Sequence, residues 1–193
     1  MKFNKPAGKK NNGRIEDGTY SARVVQVIDL GVQKDEYNGE EKIKPEVLVT
    51  FEFPTELLVI NGEERPRWLS KNYTVSLHEK AALTQLLNAV DPDGKLTKKG
   101  ANPQGILGLP CMITVGSTAS GNAKVVGVSR LLKGLQVPEL DNPTAFFDLD
   151  SDSKDNKAVF ESLPDWIKTK IQSAMNYDNS AFNGNSSVTN DPY

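Results

Sequence analysis

Residues 70–90 read SKNYTVSLHEKAALTQLLNAV, and the change of period inside this stretch decides the fold. Up to Val75 the residues are those of a strand, spanning 67–75. From Ser76 the pattern turns helical. Ser76 and Glu79 stand at capping-box spacing, and Leu83, Leu86, Leu87 and Val90 recur at helical intervals. Asp91-Pro92-Asp93-Gly94 stops the helix. Upstream, 46–53 (EVLVTFEF) is a strand closed by Pro54, and Asn61-Gly62 marks a hairpin between 57–60 and 67–75. Further upstream, after the turn Asp17-Gly18, Tyr20, Ala22, Val24, Gln26 and Ile28 alternate with Ser21, Arg23, Val25, Val27 and Asp29. Asn38-Gly39, in the polar stretch 34–44, is a second hairpin signal. Downstream, a polar loop over 95–104 precedes strands at 110–115 and 123–128, joined by small residues at 116–122. Three β segments, one helix and two β segments is the order of a five-stranded OB-fold barrel with its helix between strands 3 and 4. SH3-like barrels and sandwiches have no obligatory helix at that point.

At 193 residues the chain has room for one ordinary domain and its appendages. The boundaries expected are a flexible basic arm at 1–13, the OB-fold domain at 14–136, an acidic strap and C-terminal helix at 137–177, and a disordered tail at 178–193. Phe146 and Phe147 are the expected anchors of the strap. Within the terminal helix, over 158–175, Pro164 falls at the first turn and Ile167 and Ile171 share a face.

The net charge of -2 conceals a gradient along the chain. Residues 1–13 hold four lysines and no acid, 14–136 hold 15 bases and 15 acids, and 137–193 hold 4 bases and 10 acids. An acidic pI near 5.5 therefore does not exclude a local basic surface. No apolar run approaches the roughly 20 residues of a membrane helix, and 1–12 contain no apolar core of a secretory signal. Cys111 is the one cysteine and His78 the one histidine, too few for a disulfide or a Cys/His zinc site.

Catalytic patterns fail in turn. Gly100 to Gly105 and Gly116 to Gly121 have Walker-A glycine spacing, but Ile106-Leu107 and Asn122-Ala123 replace the lysine and hydroxyl. His78-Glu79 has no second histidine to make a zincin, and Cys111 in a strand reads as a small buried hydrophobe. The carboxylates of 148–152 lack the glycine and final glutamate of a calcium loop. The reading is a non-enzyme without cofactor or metal.

What remains is a surface for a nucleic-acid strand. OB-folds bind oligonucleotides over strands 2 and 3 and the loops joining strands 1–2 and 4–5. The first loop offers Lys34, Tyr37, Lys42 and Lys44 beside Asp35, Glu36, Glu40 and Glu41. The run 65–73 interleaves Arg65, Arg67 and Lys71 with Trp68 and Tyr73, and Lys124, Arg130 and Lys133 lie on and beyond strand 5. Rings stack on bases while cations follow phosphates. Trp68 and Tyr73 are an odd number of residues apart, so a regular strand turns one of them into the core, where Phe51 and Phe53 are also expected.

The block Ser70-Lys71-Asn72-Tyr73-Thr74-Val75-Ser76-Leu77-His78-Glu79-Lys80 resembles a family of bacteriophage-encoded OB-fold single-stranded-DNA-binding proteins, as do Leu107-Gly108-Leu109-Pro110-Cys111 and Leu163-Pro164-Asp165-Trp166-Ile167 with Lys170-Ile171. The resemblance spans about residues 14–172. It implies sequence-independent binding of single-stranded DNA in phage replication or recombination, in the cytoplasm of an infected bacterium. It also implies a partner-binding tail, here Asp191-Pro192-Tyr193, although this tip carries few acids. The alternatives from other classes are a β-barrel virion or tail assembly protein and a replisome adaptor with little DNA affinity.

Overall fold

The computed structural model describes residues 13–37, 39–76, 78–96 and 103–178; the expected arm up to Asn12, Asn38 of the first hairpin, Leu77, most of the 95–104 loop and the tail tip lie outside it. Strands β1 (Gly18–Tyr37), β2 (Glu40–Ile60) and β3 (Glu63–Thr74) precede helix α1 (Ala82–Val90). A 3-10 turn, Pro103–Ile106, leads to β4 (Pro110–Ser117) and β5 (Ala123–Ser129). The C-terminal part adds β6 (Ala145–Phe147), α2 (Lys154–Ser162) and α3 (Asp165–Gln172). The protein is mainly β, with one six-stranded sheet in the order β3-β2-β1-β4-β5. Neighbours along that path are antiparallel, while β6 runs parallel to β1 at Gln26–Ile28. Among the described residues the sheet stays open, a departure from the closed five-stranded expectation. Edge strands β3 and β5 approach one another, but no ladder joins them.

The hairpin after Ile60 follows its residues. Asn61 and Gly62 both adopt positive φ, 53° and 85°, as the tight turn requires. The strands exceed their expected bounds. β2 runs through Pro54 to Ile60, because a register irregularity between Phe53 and Leu57 absorbs the proline in an antiparallel pair with β3. In β1, register shifts at Val24/Gln26 and Asp29/Gly31 break the simple alternation. Each shift exchanges the faces of the residues that follow. Ala22, Val24 and Val27 therefore share one core, while Ile28 and Leu30 enter another.

The first core packs Val47, Val49, Phe51, Phe53 and Tyr73 against Leu83, Leu86 and Leu87 of α1 and against Cys111 and Ile113 of β4. The second, on the opposite face, joins Ile28, Leu30 and Leu48 to Phe147, Phe160, Ile167 and Ile171. β6, α2 and α3 thus cover the outer face of β1 and β2. Arg23 ties the strap down, donating to the carbonyls of Gly108 (2.8 Å), Val137 (2.9 Å) and Pro138 (2.7 Å). Phe147 is buried in the second core, and Phe146 packs on the first.

Two helix expectations are corrected. The Ser76/Glu79 capping box does not form, because a turn closed by Ala81 N donating to His78 O delays α1 until Ala82. The single C-terminal helix is two, since Pro164 has no amide hydrogen and breaks the ladder between α2 and α3. Ser153 caps α2 by accepting from Asn156 N.

Gly31 sits where β1 meets the C-terminal segment, with φ +72°. A Cβ there would lie 2.7 Å from each of Ala174 Cβ, Asn176 Oδ1 and Leu149 Cδ2. Gly31→Ala is expected to lower stability by roughly 2–4 kcal/mol, read as a shifted urea midpoint. An unchanged midpoint would show that the C-terminal segment does not pack there as described.

Candidate nucleic-acid interface

The open seam of the sheet holds a cavity of about 480 Å³. Its walls come from Leu58 and Ile60 of β2, residues 65–69 of β3 and Ala123 at the start of β5, with Arg14 and Asn142 completing the rim. Three arginines, Arg14, Arg65 and Arg67, line it together with Trp68, and among the described residues no carboxylate does. Arg67 donates to Gly13 O, fixing the segment that presents Arg14. Arg14 itself has no ion pair or hydrogen bond among the described residues, and its Nη1 lies 3.2 Å from where a Cβ on Gly121 would stand. Gly121, at φ +83° in the β4–β5 turn, therefore leaves room for this guanidinium. Arg65 pairs with Glu63 at 2.7 Å, but both side chains are well exposed, so the pair is weak and easily exchanged.

Trp68 is 39% exposed and is held by its edge. Its Nε1 donates to Glu52 Oε2 at 2.9 Å. Glu52 is fully buried and also accepts from Asp141 N and Asn142 Nδ2, each at 2.7 Å. This carboxylate meets the strap and the indole at once, and three donors replace its lost hydration.

The seam gathers Arg65, Arg67 and Trp68 of the expected residues and adds Arg14, which sequence reading missed. The signal for Arg14 was slight: a lone arginine just before the first strand. Lys71 lies two positions along β3 from Leu69, half-buried, with Nζ 5.3 Å from the Tyr73 ring centroid; burial lowers its pKa. Tyr73 is only 2% exposed and belongs to the core, so it offers no face to a base. Lys124 is exposed on β5 beside Ala123. Arg130 turns to the end of α1, donating to Asn88 O at 3.3 Å, and Lys133 is exposed beyond β5.

The loop between β1 and β2 does not join the seam. It is a two-stranded ribbon at the opposite end of β2, where cations meet acids: Lys34 with Glu41 at 2.6 Å, and Lys44 with Asp35 and Glu46, both at 2.9 Å. The hydrogen bond from Lys44 lowers the Asp35 pKa, and those bonds to Asp35 and Glu46 raise the Lys44 pKa. Lys42 is exposed on the same ribbon; the Tyr37 side chain and Asp191-Pro192-Tyr193 lie outside the described residues. The face over strands 2 and 3 is also narrower than expected, because α3 covers Leu48 and Lys170 pairs with Glu46 at 3.1 Å.

A second cavity, about 440 Å³, opens between α1 and β6 over Val47, Val49, Leu83 and Phe146. Its charged lining among the described residues is Asp29, Asp148 and Asp150. Burial raises the Asp29 pKa, and the two neighbouring aspartates add to that. Among the described residues no group of three metal-ligating side chains occurs. Among the described residues no helix is long and apolar enough to cross a membrane. No protein-family model and no curated protein sequence matches the chain.

Cys111 and Tyr73 meet inside the first core. Burial pushes the Cys111 thiol from its usual 9.0 up to about 12, and burial followed by Cys111 raises Tyr73. The unfolded thiol releases its proton first, so stability is intact below about pH 9 and falls as pH rises toward 12. The loss is expected on the order of 1–4 kcal/mol, with Cys111→Ala flattening the profile in denaturant titrations. The Tyr73 hydroxyl has no hydrogen-bond partner among the described residues. Tyr73→Phe is accordingly expected to raise stability by about 1 kcal/mol; a loss of that size would reveal a hidden partner.

Proposed function

We propose that this protein binds single-stranded DNA without sequence preference, on an OB-type barrel left open at the seam. The barrel reading is supported by strand order: β1 between β2 and β4, with β3 and β5 brought toward each other and α1 between β3 and β4. The observation that carries the function is the seam itself, with Arg14, Arg65, Arg67 and a partly exposed Trp68 and, among the described residues, no acid in the lining. Guanidinium groups displace the counterions of a phosphate backbone. An exposed indole beside them suits unpaired bases, whose faces are free to stack; paired bases in a duplex are already stacked. Stacking contributes about 1–3 kcal/mol per base and tolerates any sequence. A place in phage DNA replication or recombination rests on the family resemblance of the 70–80 block.

Salt titration with an oligothymidylate tests this reading. Contacts from three arginines predict a log–log slope of about -2 or steeper, and Arg65→Ala with Arg67→Ala should remove about 1.4 of it. Duplex DNA should bind more weakly than the single strand. Absence of affinity at every salt concentration would overturn the proposal and favour an assembly role.

A further inference from the structure

Behind Trp68 lies another cavity, about 400 Å³, between the strap, β1 and α2. Trp68 and Asn142 line both this cavity and the arginine seam, so they form the wall between them. That wall is held in place by Glu52, through Trp68 Nε1 at 2.9 Å and Asn142 Nδ2 at 2.7 Å. The chemistry changes across it. The seam has three arginines, whereas the cavity behind has no charged side chain in its lining among the described residues. Its surface is built from Pro143, Ala145 and Val159, with the polar groups of Gln26, Asn142 and Thr144 among them. The Gln26 carboxamide and the Thr144 hydroxyl have no hydrogen-bond partner among the described residues, and the Asn142 carbonyl oxygen is likewise uncommitted.

With no cation lining it among the described residues, such a site does not suit a phosphate. A nucleobase does, having an apolar face for Trp68 and Val159 and an edge of donors and acceptors for an amide and a hydroxyl. We infer that the cavity behind Trp68 is a base-binding subsite, with the backbone of the same strand held by the arginines in front. This rests on the single-strand reading above. Gln26 sits on β1, paired with Thr50 and Ala145, so its donors and acceptors are presented from a rigid strand.

The test compares oligothymidylate with an abasic oligomer of equal length, in the Trp166→Phe background, which leaves Trp68 as the only tryptophan of the two. Base occupancy predicts tighter binding of oligothymidylate than of the abasic strand by roughly 5- to 100-fold, with Trp68 fluorescence quenched only by the former. Gln26→Leu with Thr144→Val should cost roughly 5- to 20-fold for oligothymidylate, leave the abasic strand unaffected and keep the salt slope. Arg67→Ala should do the reverse, lowering the slope for both polymers. If the double variant fails to fold, Thr144→Val alone, at an exposed position of the strap, takes its place with a smaller loss in the same direction. Equal binding of the two polymers by the parent protein overturns both the subsite and stacking on Trp68, whereas undiminished oligothymidylate binding by the Gln26→Leu, Thr144→Val variant overturns the subsite and leaves the single-strand reading intact. Failure of the parent protein to bind either polymer overturns both.

Discussion

Eight consecutive residues of β2, Glu46 to Phe53, are buried, and the rest of the structure follows from that double burial. A strand with one solvated face would alternate; this one is covered on both. Val47, Val49, Phe51 and Phe53 take the first core with α1 and β4. Leu48 takes the second, under the C-terminal helices. Between them the outward face also carries Glu46, Thr50 and Glu52, which would be costly to bury unpaired. Each has partners: Lys44 and Lys170 for Glu46, Ser70 for Thr50, and Trp68 with the strap for Glu52. The strap, α2 and α3 are therefore part of the folded unit, tied to the sheet by polar groups as well as by apolar contact.

The same arrangement sorts charge. Asp148 and Asp150 of the strap join Asp29 of β1 around the cavity by β6, while Arg14, Arg65 and Arg67 gather at the seam, where Arg65 pairs with Glu63. A near-neutral chain can in this way concentrate carboxylates in one place and guanidinium groups in another. Glu52 links the two halves of the design, since the carboxylate that locks the strap also orients the tryptophan at the seam. Buried hydrogen bonds of this kind hold an aromatic in position before any ligand arrives.

Much of the architecture was legible in local pattern. The change from period 2 to period 3.6 after Val75 separates β3 from α1, although the first turn slipped to Ala82 when the chain closed a tighter turn at His78. Asn61-Gly62 specified its hairpin through positive φ. Parity along β3 distinguished Trp68 from Tyr73: one is exposed, the other in the core. The β1 bulges were not legible, because a run such as Val24-Val25 satisfies either face. Nor was the neutralisation of the β1–β2 ribbon, where Lys34 and Lys44 find acids only once the register is set.

Residue type and spacing by themselves determined strands β1 to β5, helix α1 and their order, though not β6 or the division into α2 and α3, because backbone preference and hydrophobic period act over a few neighbours. Tertiary structure alone decided where the sheet stops closing, that the strap lies over its outer face, and that Arg14 joins Arg65 and Arg67 across more than 50 positions of sequence. Those outcomes depend on burial and pairing between distant segments, and no short window of sequence contains both members of such a pair.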